Sequence, residues 1–301
     1  MRCPYSFFLR YVLGLEGPPE RGEDPGRWLS PAEFGSALHR LFFRFMSALR
    51  ERGERPSAER HRPLLEQLLR ELGVELRSRI PVRHEAALRA DLRRLERAAR
   101  IFLRAESRRC DAEPVDFEVS FGLGEHGGAH CRDGVVLNLS EHLQLRLQGR
   151  IDRVDRLGEG YQIWDYKTGS STPYEGEDLL RGGVHLQWAL YAYALGEILC
   201  QREPGARVLS AGYYFVSARE HGRRLSAPPP APAEVARHLG PVVGMAEQGA
   251  FFHIQKERQC PHCDFAPLCG GEGRLAGEVD PEAAPPAQPA LASLLGQWAD
   301  D

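Results

Sequence analysis

Residues 149–167 constrain this chain more tightly than any other stretch. Gly149-Arg150-Ile151-Asp152-Arg153-Val154-Asp155 and Tyr161-Gln162-Ile163-Trp164-Asp165-Tyr166-Lys167 flank Leu157-Gly158-Glu159-Gly160. Two strand-like runs around a short Gly-bearing turn predict a β-hairpin. With Gly158 and Glu159 as the loop, Leu157 pairs with Gly160, and counting outward sets Asp152 directly opposite Asp165. Directly opposed residues have Cβ atoms about 5 Å apart, and a slip of one residue would turn the pair to opposite faces. Asp165 and Lys167 are two residues apart and share a face; Asp155, three residues from Asp152, points the other way.

Facing carboxylates repel unless a positive charge lies between them. A divalent cation serves, and oxygen ligands favour Mg²⁺ or Mn²⁺ over zinc. Such a cation polarises a phosphoryl oxygen and lowers the pKa of bound water. An adjacent ammonium can orient that water and stabilise the growing phosphoryl charge. The hairpin is thus in principle a site for phosphodiester hydrolysis, although a surface hairpin with a ladder of ion pairs has the same spacing. Lysine usage adds weight. Of 39 Lys and Arg residues only Lys167 and Lys256 are lysines, and a compact, tunable ammonium is what a broad guanidinium cannot replace. Drift alone would also leave a few lysines behind.

The rest of the chain supplies a frame. Residues 1–15 read as a helix start with Phe7, Phe8, Tyr11 and Val12 on one face, and 17–31 as a loop rich in Pro, Gly and charge. Ser30-Pro31-Ala32-Glu33 opens a helix, with Ser as N-cap and Pro in the first position. Its apolar stripe is Phe34, Leu38, Leu41, Phe42 and Phe45. Residues 50–109 are helical by their period: Leu64, Leu65, Leu68, Leu69 and Leu72, then Leu88, Leu92, Leu95, Ala99, Phe102 and Leu103. Their many arginines, Arg93, Arg97 and Arg100 among them, suit either a DNA path or a merely solvated face.

After Pro114 the period becomes two, with Val115, Phe117, Val119 and Phe121 as a half-buried strand. A Gly-rich turn follows at 122–128; alternation returns over 143–157 and again over 161–167. Residues 184–200 read as a helix and Val208–Val216 as a strand; a Pro-rich loop at 227–232 precedes a helix to about 246. The sum is an α/β fold, a mixed central sheet flanked by helices. The expected organisation is one domain over 1–278, with a helical insertion at 41–110, a sheet core at 111–217, a cysteine-bearing segment at 258–271 and a Pro/Ala-rich tail at 279–301. No run of about 18 apolar residues is present to span a membrane. The N-terminus lacks the small-residue cleavage site of a secretory signal, so a cytoplasmic location is expected. A net charge of −3 argues neither for nor against nucleic acid.

Four motifs in order carry a resemblance. Gly35-Ser36-Ala37-Leu38-His39 precedes the Gly149–Asp155 run, Asp165-Tyr166-Lys167-Thr168-Gly169 and Gln187-Trp188-Ala189-Leu190-Tyr191. Together they resemble the RecB-type branch of the PD-(D/E)XK nucleases. The resemblance implies that His39, Asp152, Asp165 and the Tyr166 backbone carbonyl ligate Mg²⁺ or Mn²⁺, and that Lys167 positions and activates the attacking water. Gln187 and Tyr191 would touch the DNA strand or brace the site. Without it, His39 reads as a partly buried histidine and Tyr191 as core.

Seven cysteines without a signal peptide argue against a disulfide framework. Cys260, Cys263 and Cys269 have metal-ligand spacing, and Cys3 lies at the other end of the chain. Spacing leaves zinc and an iron–sulfur cluster equally open, with His262 as a possible substitute ligand. The arrangement is similar to that of the iron–sulfur nucleases, closest to the nuclease domain at the C-terminus of AddB-type helicase–nuclease proteins. That resemblance implies a 4Fe-4S cluster on Cys3, Cys260, Cys263 and Cys269 that pins the two ends together. Cys110, Cys131 and Cys200 read as free, buried or partly buried thiols. The function implied is an exonuclease acting on DNA, single strand or duplex end, in repair and recombination with a helicase partner. A stand-alone iron–sulfur exonuclease and a non-catalytic DNA-binding module that keeps the fold are the alternatives, the second disfavoured by the intact Asp152, Asp165 and Lys167.

Overall fold

The computed structural model describes residues 3–17, 26–123, 129–131, 134–176, 178–252, 260 and 263–269, with 129–131 as backbone only. Residues 18–25 of the expected first loop, 124–128 of the Gly-rich turn, Lys256, His262 and the tail from 279 lie outside the described residues. The chain divides into two compact units. One comprises Met1–Glu23, Gly182–Val184 and Ala236–Asp301; the other comprises Asp24–Arg181 and His185–Val235.

The larger unit is built on a sheet of six strands: β1 (Glu113–Phe121), β2 (Ala129–Cys131), β5 (Gly149–Leu157), β6 (Gly160–Lys167), β7 (Val208–Phe215) and β8 (Arg223–Ala227). Their order is β2-β1-β5-β6-β7-β8. The β1–β5, β5–β6 and β7–β8 pairs are antiparallel, whereas β1–β2 and β6–β7 are parallel. A parallel pair needs a crossover, and the helix α5 (Gln187–Arg202) lies within the connection between β6 and β7. Trp188, Ala189, Ala192, Leu195 and Ile198 form its buried side.

Three long helices pack together with the sheet: α2 (Pro31–Glu51), α3 (Arg62–Arg79) and α4 (Glu85–Ser107). Their apolar stripes share one core with Phe117, Trp164, Tyr166 and Tyr214 of the sheet. Phe42 and Phe102 stack at 4.0 Å, and Tyr166 meets both rings edge-on. The segment expected as an insertion thus begins inside α2 and contributes to the central core. The α4–sheet junction also buries charge. Arg153 lies 2.7 Å from Glu106 and 2.6 Å from Asp155, which also accepts from Arg109 at 2.5 Å and from Trp164 Nε1 at 3.0 Å. Asp155 therefore serves the scaffold, as its position three residues from Asp152 predicts.

Two sequence expectations change in the larger unit. The run 143–157 is two strands: β4 (Leu143–Leu147) pairs with β3 (Val135–Ser140) in a separate two-stranded sheet, and β5 starts at Gly149. The chain switches sheets at Gln148, where Gly122 and Gly134, both at positive φ, allow close backbone approach; a Cβ on Gly122 would meet Gln148 at 2.8 Å. The strand β8 was not expected, because its apolar and polar residues do not alternate.

In the smaller unit, α1 is only Pro4–Phe7 and continues as a π-turn over Phe8–Val12. The wider turn rotates the expected face, leaving Leu9 buried and Tyr11 and Val12 exposed. The helices α6 (Pro232–Glu247) and α7 (Ala266–Cys269) complete the described elements.

Candidate active site

The first side chain of the site depends on how α2 begins. Ser30 Oγ accepts from Glu33 N at 3.2 Å, and the Glu33 carboxylate accepts from Ser30 N at 2.8 Å. This reciprocal cap, with Pro31 in the first turn, fixes the helix start. The buried stripe of Ala37, Leu38, Leu41 and Phe42 then sets the rotation of α2. Gly35, Ser36, His39 and Phe43 recur three or four residues apart on another face.

The hairpin has the register counted from its sequence: Leu157 faces Gly160, and the ladder runs outward to Arg153 and Trp164. Asp152 and Asp165 occupy the next position outward. Asp152 Oδ2 accepts from Tyr166 N at 2.7 Å, and Asp152 Oδ1 lies 3.2 Å from His39 Nδ1. His39 Nε2 lies 3.2 Å from the Tyr166 carbonyl oxygen. Lys167 Nζ is 2.6 Å from Asp165 Oδ2 and 3.5 Å from Gln187 Oε1, and Gln187 Nε2 donates to Tyr191 Oη at 3.2 Å. The six residues picked out as catalytic, together with the Tyr166 carbonyl, form a nearly continuous chain of contacts. Gly149 makes room for it, since a Cβ there would sit 3.1 Å from the Tyr191 ring.

One acid was missed. Phe117 pairs with Arg153 and Val119 with Ile151, which places Glu118 opposite Asp152. Glu118, Asp152 and Asp165 therefore form a row across three neighbouring strands. His39, Glu118 and Asp152 offer ligand atoms within 4.8 Å of one another. Glu118 has a φ of 52° in mid-strand, a conformation rare for a residue with a Cβ. The available signal was faint: a Glu on the polar side of the 115–121 alternation. Its register could not be counted, because β1 and β5 are far apart in sequence and a bulge shifts the ladder between Pro114 and Asp116.

The three carboxylates of the row lie close together, with Lys167 2.6 Å from Asp165, Arg150 3.2 Å from Glu118 and His39 3.2 Å from Asp152. Burial and the charge of Asp152 push the Asp165 carboxyl up to about 6, although Lys167 opposes the shift. Burial and then Asp152 also raise Glu118. Burial pulls His39 down, but the hydrogen bond and charge of Asp152, with Asp165 and Glu118, outweigh it. A carbonyl can only accept, so the Nε2 facing Tyr166 carries a proton; Nδ1 faces a carboxylate and favours a second. Burial likewise opposes the Lys167 charge, and Asp165 more than restores it. Clustered hard oxygen donors and one imidazole fit a divalent cation.

Two of the six arginines of α4, Arg94 and Arg100, and Arg109 just beyond it, pair with the protein's own acids. Arg94 pairs with Asp91 and covers the Phe34 ring, Arg100 lies 2.6 Å from Glu96 and 3.6 Å from Glu66, and Arg109 reaches the buried Asp155. Arg93 and Arg97 are exposed.

In the smaller unit, burial raises the Cys269 thiol, and Cys263, Cys3 and Cys260 add to the shift by their charge. Each of these three thiols therefore lies within electrostatic reach of Cys269. Tyr5 N donates to the Phe252 carbonyl at 3.0 Å, and Arg10 pairs with Asp264, so the two ends of the chain meet. Cys110 and Cys200 are exposed rather than buried; they lie at the end of α4's trailing segment and on the outer side of α5. The Cys131 side chain lies outside the described residues.

Known proteins resemble this chain in the same terms. It is 27% identical over 224 residues to a component of the ATP-dependent helicase/deoxyribonuclease of Ruminiclostridium cellulolyticum, covering 71% of this chain and 18% of that one. The same component from Desulforamulus reducens is 31% identical over 174 residues, 56% of this chain and 14% of that one. That of Clostridium acetobutylicum is 27% identical over 208 residues, 65% and 17%. The chain thus spans less than a fifth of the length of these relatives. Residues 1–270 match the PD-(D/E)XK nuclease superfamily, and over that span, which holds the hairpin, His39 and all four clustered cysteines, the chain belongs to this superfamily.

Proposed function

We propose that this chain is a Mg²⁺- or Mn²⁺-dependent deoxyribonuclease that hydrolyses phosphodiester bonds at DNA ends. The observation that carries the reading is the group of His39, Glu118 and Asp152, whose ligand atoms lie within 4.8 Å of one another, with Asp165 on the neighbouring strand paired to Lys167. His39, Asp152, Asp165 and the Tyr166 carbonyl would hold the cation, with Glu118 beside them. When bound, the cation supplies Lewis acidity and charge neutralisation. Lys167, held between Asp165 and Gln187, orients the attacking water and meets the charge that grows on the phosphoryl oxygens. Gln187 and Tyr191 hold Lys167 in place and face the scissile strand. Products from end-labelled single- and double-stranded DNA, with Mg²⁺, Mn²⁺ or chelator, test this and report polarity.

The relatives are named as components of a helicase/deoxyribonuclease. We infer that this chain works as an exonuclease in break processing with a helicase that feeds it DNA. The convergence of Cys3, Cys260, Cys263 and Cys269 supports a 4Fe-4S cluster that clamps the termini of the domain. Such a clamp acts as a crosslink across a very long loop.

A further inference from the structure

On the far side of β6 from Asp165 lies a cavity of about 480 Å³ that the chemistry above leaves unused. Strand residues alternate between faces, so Gln162 and Trp164, which line it, point away from Asp165 and Lys167. Its volume is that of a small-molecule site, roughly 300–1,000 Å³. Its walls are basic. Arg108 and Arg109 follow α4, His221 and Gly222 come from the β7–β8 turn, Arg224 comes from β8, and Asp111 is the one acid among the lining residues. Arg109 and Arg224 are committed inward. Both guanidiniums lie over the Trp164 ring, at 5.4 and 5.7 Å; Arg109 pairs with Asp155 and Asp111, and Arg224 is 2.6 Å from Glu106. Arg108 and His221 are exposed, and neither side chain has a hydrogen bond or ion pair among the described residues.

The turn that brings His221 to the cavity has an uncommon shape. His221 has a φ of 52° and Gly222 one of 86°, and a left-handed backbone is rare for a residue with a Cβ. A Cβ on Gly222 would sit 2.6 Å from that of Ala105, so the turn presses on α4, and His221 shares the cavity wall with Arg108. Arginines at a helix C-terminus offset its dipole, but that accounts for neither His221 nor Arg224, which belong to other elements. The cavity and the ion pairs behind it hold four guanidiniums, those of Arg108, Arg109, Arg153 and Arg224, against three carboxylates, those of Glu106, Asp111 and Asp155. The charge left over is that of the exposed Arg108, where a ligand can reach it.

We propose that this cavity binds a phosphate group, either inorganic phosphate or that of a nucleoside monophosphate. The phosphate oxygens accept from Arg108 and His221, and Arg109 and Arg224, held by their ion pairs, add positive potential behind them. The site stands apart from the nuclease reading and is tested without catalysis, by isothermal titration calorimetry of the full chain in chelator. The probes are inorganic phosphate, thymidine monophosphate, thymidine and acetate. Both phosphates are expected to bind, and thymidine and acetate to give no heat. Tighter binding of the nucleotide than of phosphate identifies a nucleotide as the ligand; equal binding identifies the phosphate group alone. Arg108→Glu is expected to weaken both at least about tenfold, the scale of one hydrogen bond to a charged group. His221→Gly removes the imidazole and relaxes the backbone, so it is expected to weaken binding while Tm holds or rises, which excludes unfolding as the cause. No heat from either phosphate, or unchanged binding in Arg108→Glu and His221→Gly, overturns the proposal. Binding lost in Lys167→Gln but kept in Arg108→Glu would place the phosphate at the acids and overturns it equally.

Discussion

Lys167 is held by two partners of different kinds, the carboxylate of Asp165 at 2.6 Å and the amide of Gln187 at 3.5 Å. A guanidinium keeps the charge but not the reach. Lys167→Arg is expected to lower kcat at least about a hundredfold, the scale of losing one preorganised charge-stabilising group, with DNA affinity unchanged. Near-normal turnover would leave Lys167 as background charge only. Asp165 makes the second residue-scale case. A ligand must be deprotonated to bind a cation, and a carboxyl lifted to about 6 is increasingly protonated below that pH. His39, also raised, competes in the same sense. Mn²⁺ affinity is therefore expected to fall by more than tenfold from pH 8 to pH 5.5 in calorimetric titrations, and flat affinity would count against these ligands. At this scale the sequence was legible wherever neighbours are close in the chain. The hairpin count placed Asp152 and Asp165, and the i,i+4 spacing placed Gln187 with Tyr191. Glu118 was not legible, because its place depends on a bulged pairing of distant strands.

Among the elements, the pattern of apolar residues found α2, α3, α4, α5, β1, β6 and β7; the helices bury one face, whereas β6 is buried along nearly its whole length. It failed at 143–157, where apolar residues keep a two-residue period straight through the point at which the chain leaves one sheet for another. Alternation records which side is buried, not which strand lies alongside. The α4–sheet junction was equally hidden, because its ion pairs join residues far apart in sequence. Arg153 is fully buried among Glu106 and Asp155. Removing one member of such a set strands the others, so Arg153→Leu is expected to cost about 3–5 kcal/mol in urea unfolding. A loss under about 1 kcal/mol would mean that Arg109, paired with Asp155, and Arg224, 2.6 Å from Glu106, already neutralise those acids.

For the whole molecule, the resemblance read from four short motifs and the superfamily match over residues 1–270 agree, and that span holds Cys3 near one end and Cys260, Cys263 and Cys269 near the other. If Cys3, Cys260, Cys263 and Cys269 hold a 4Fe-4S cluster, anaerobically purified protein is brown, and Cys263→Ala loses both the colour and part of its thermal stability. Stoichiometric zinc in a colourless protein would replace the cluster with a zinc site. The central claim is metal-dependent hydrolysis at the carboxylate row, and cleavage of end-labelled DNA by the intact chain tests it most directly. The account predicts products with Mg²⁺ or Mn²⁺, none with chelator, and none from Asp165→Ala although that variant still binds DNA. Cleavage that survives chelation, or an Asp165→Ala variant that cuts at the wild-type rate, would contradict it.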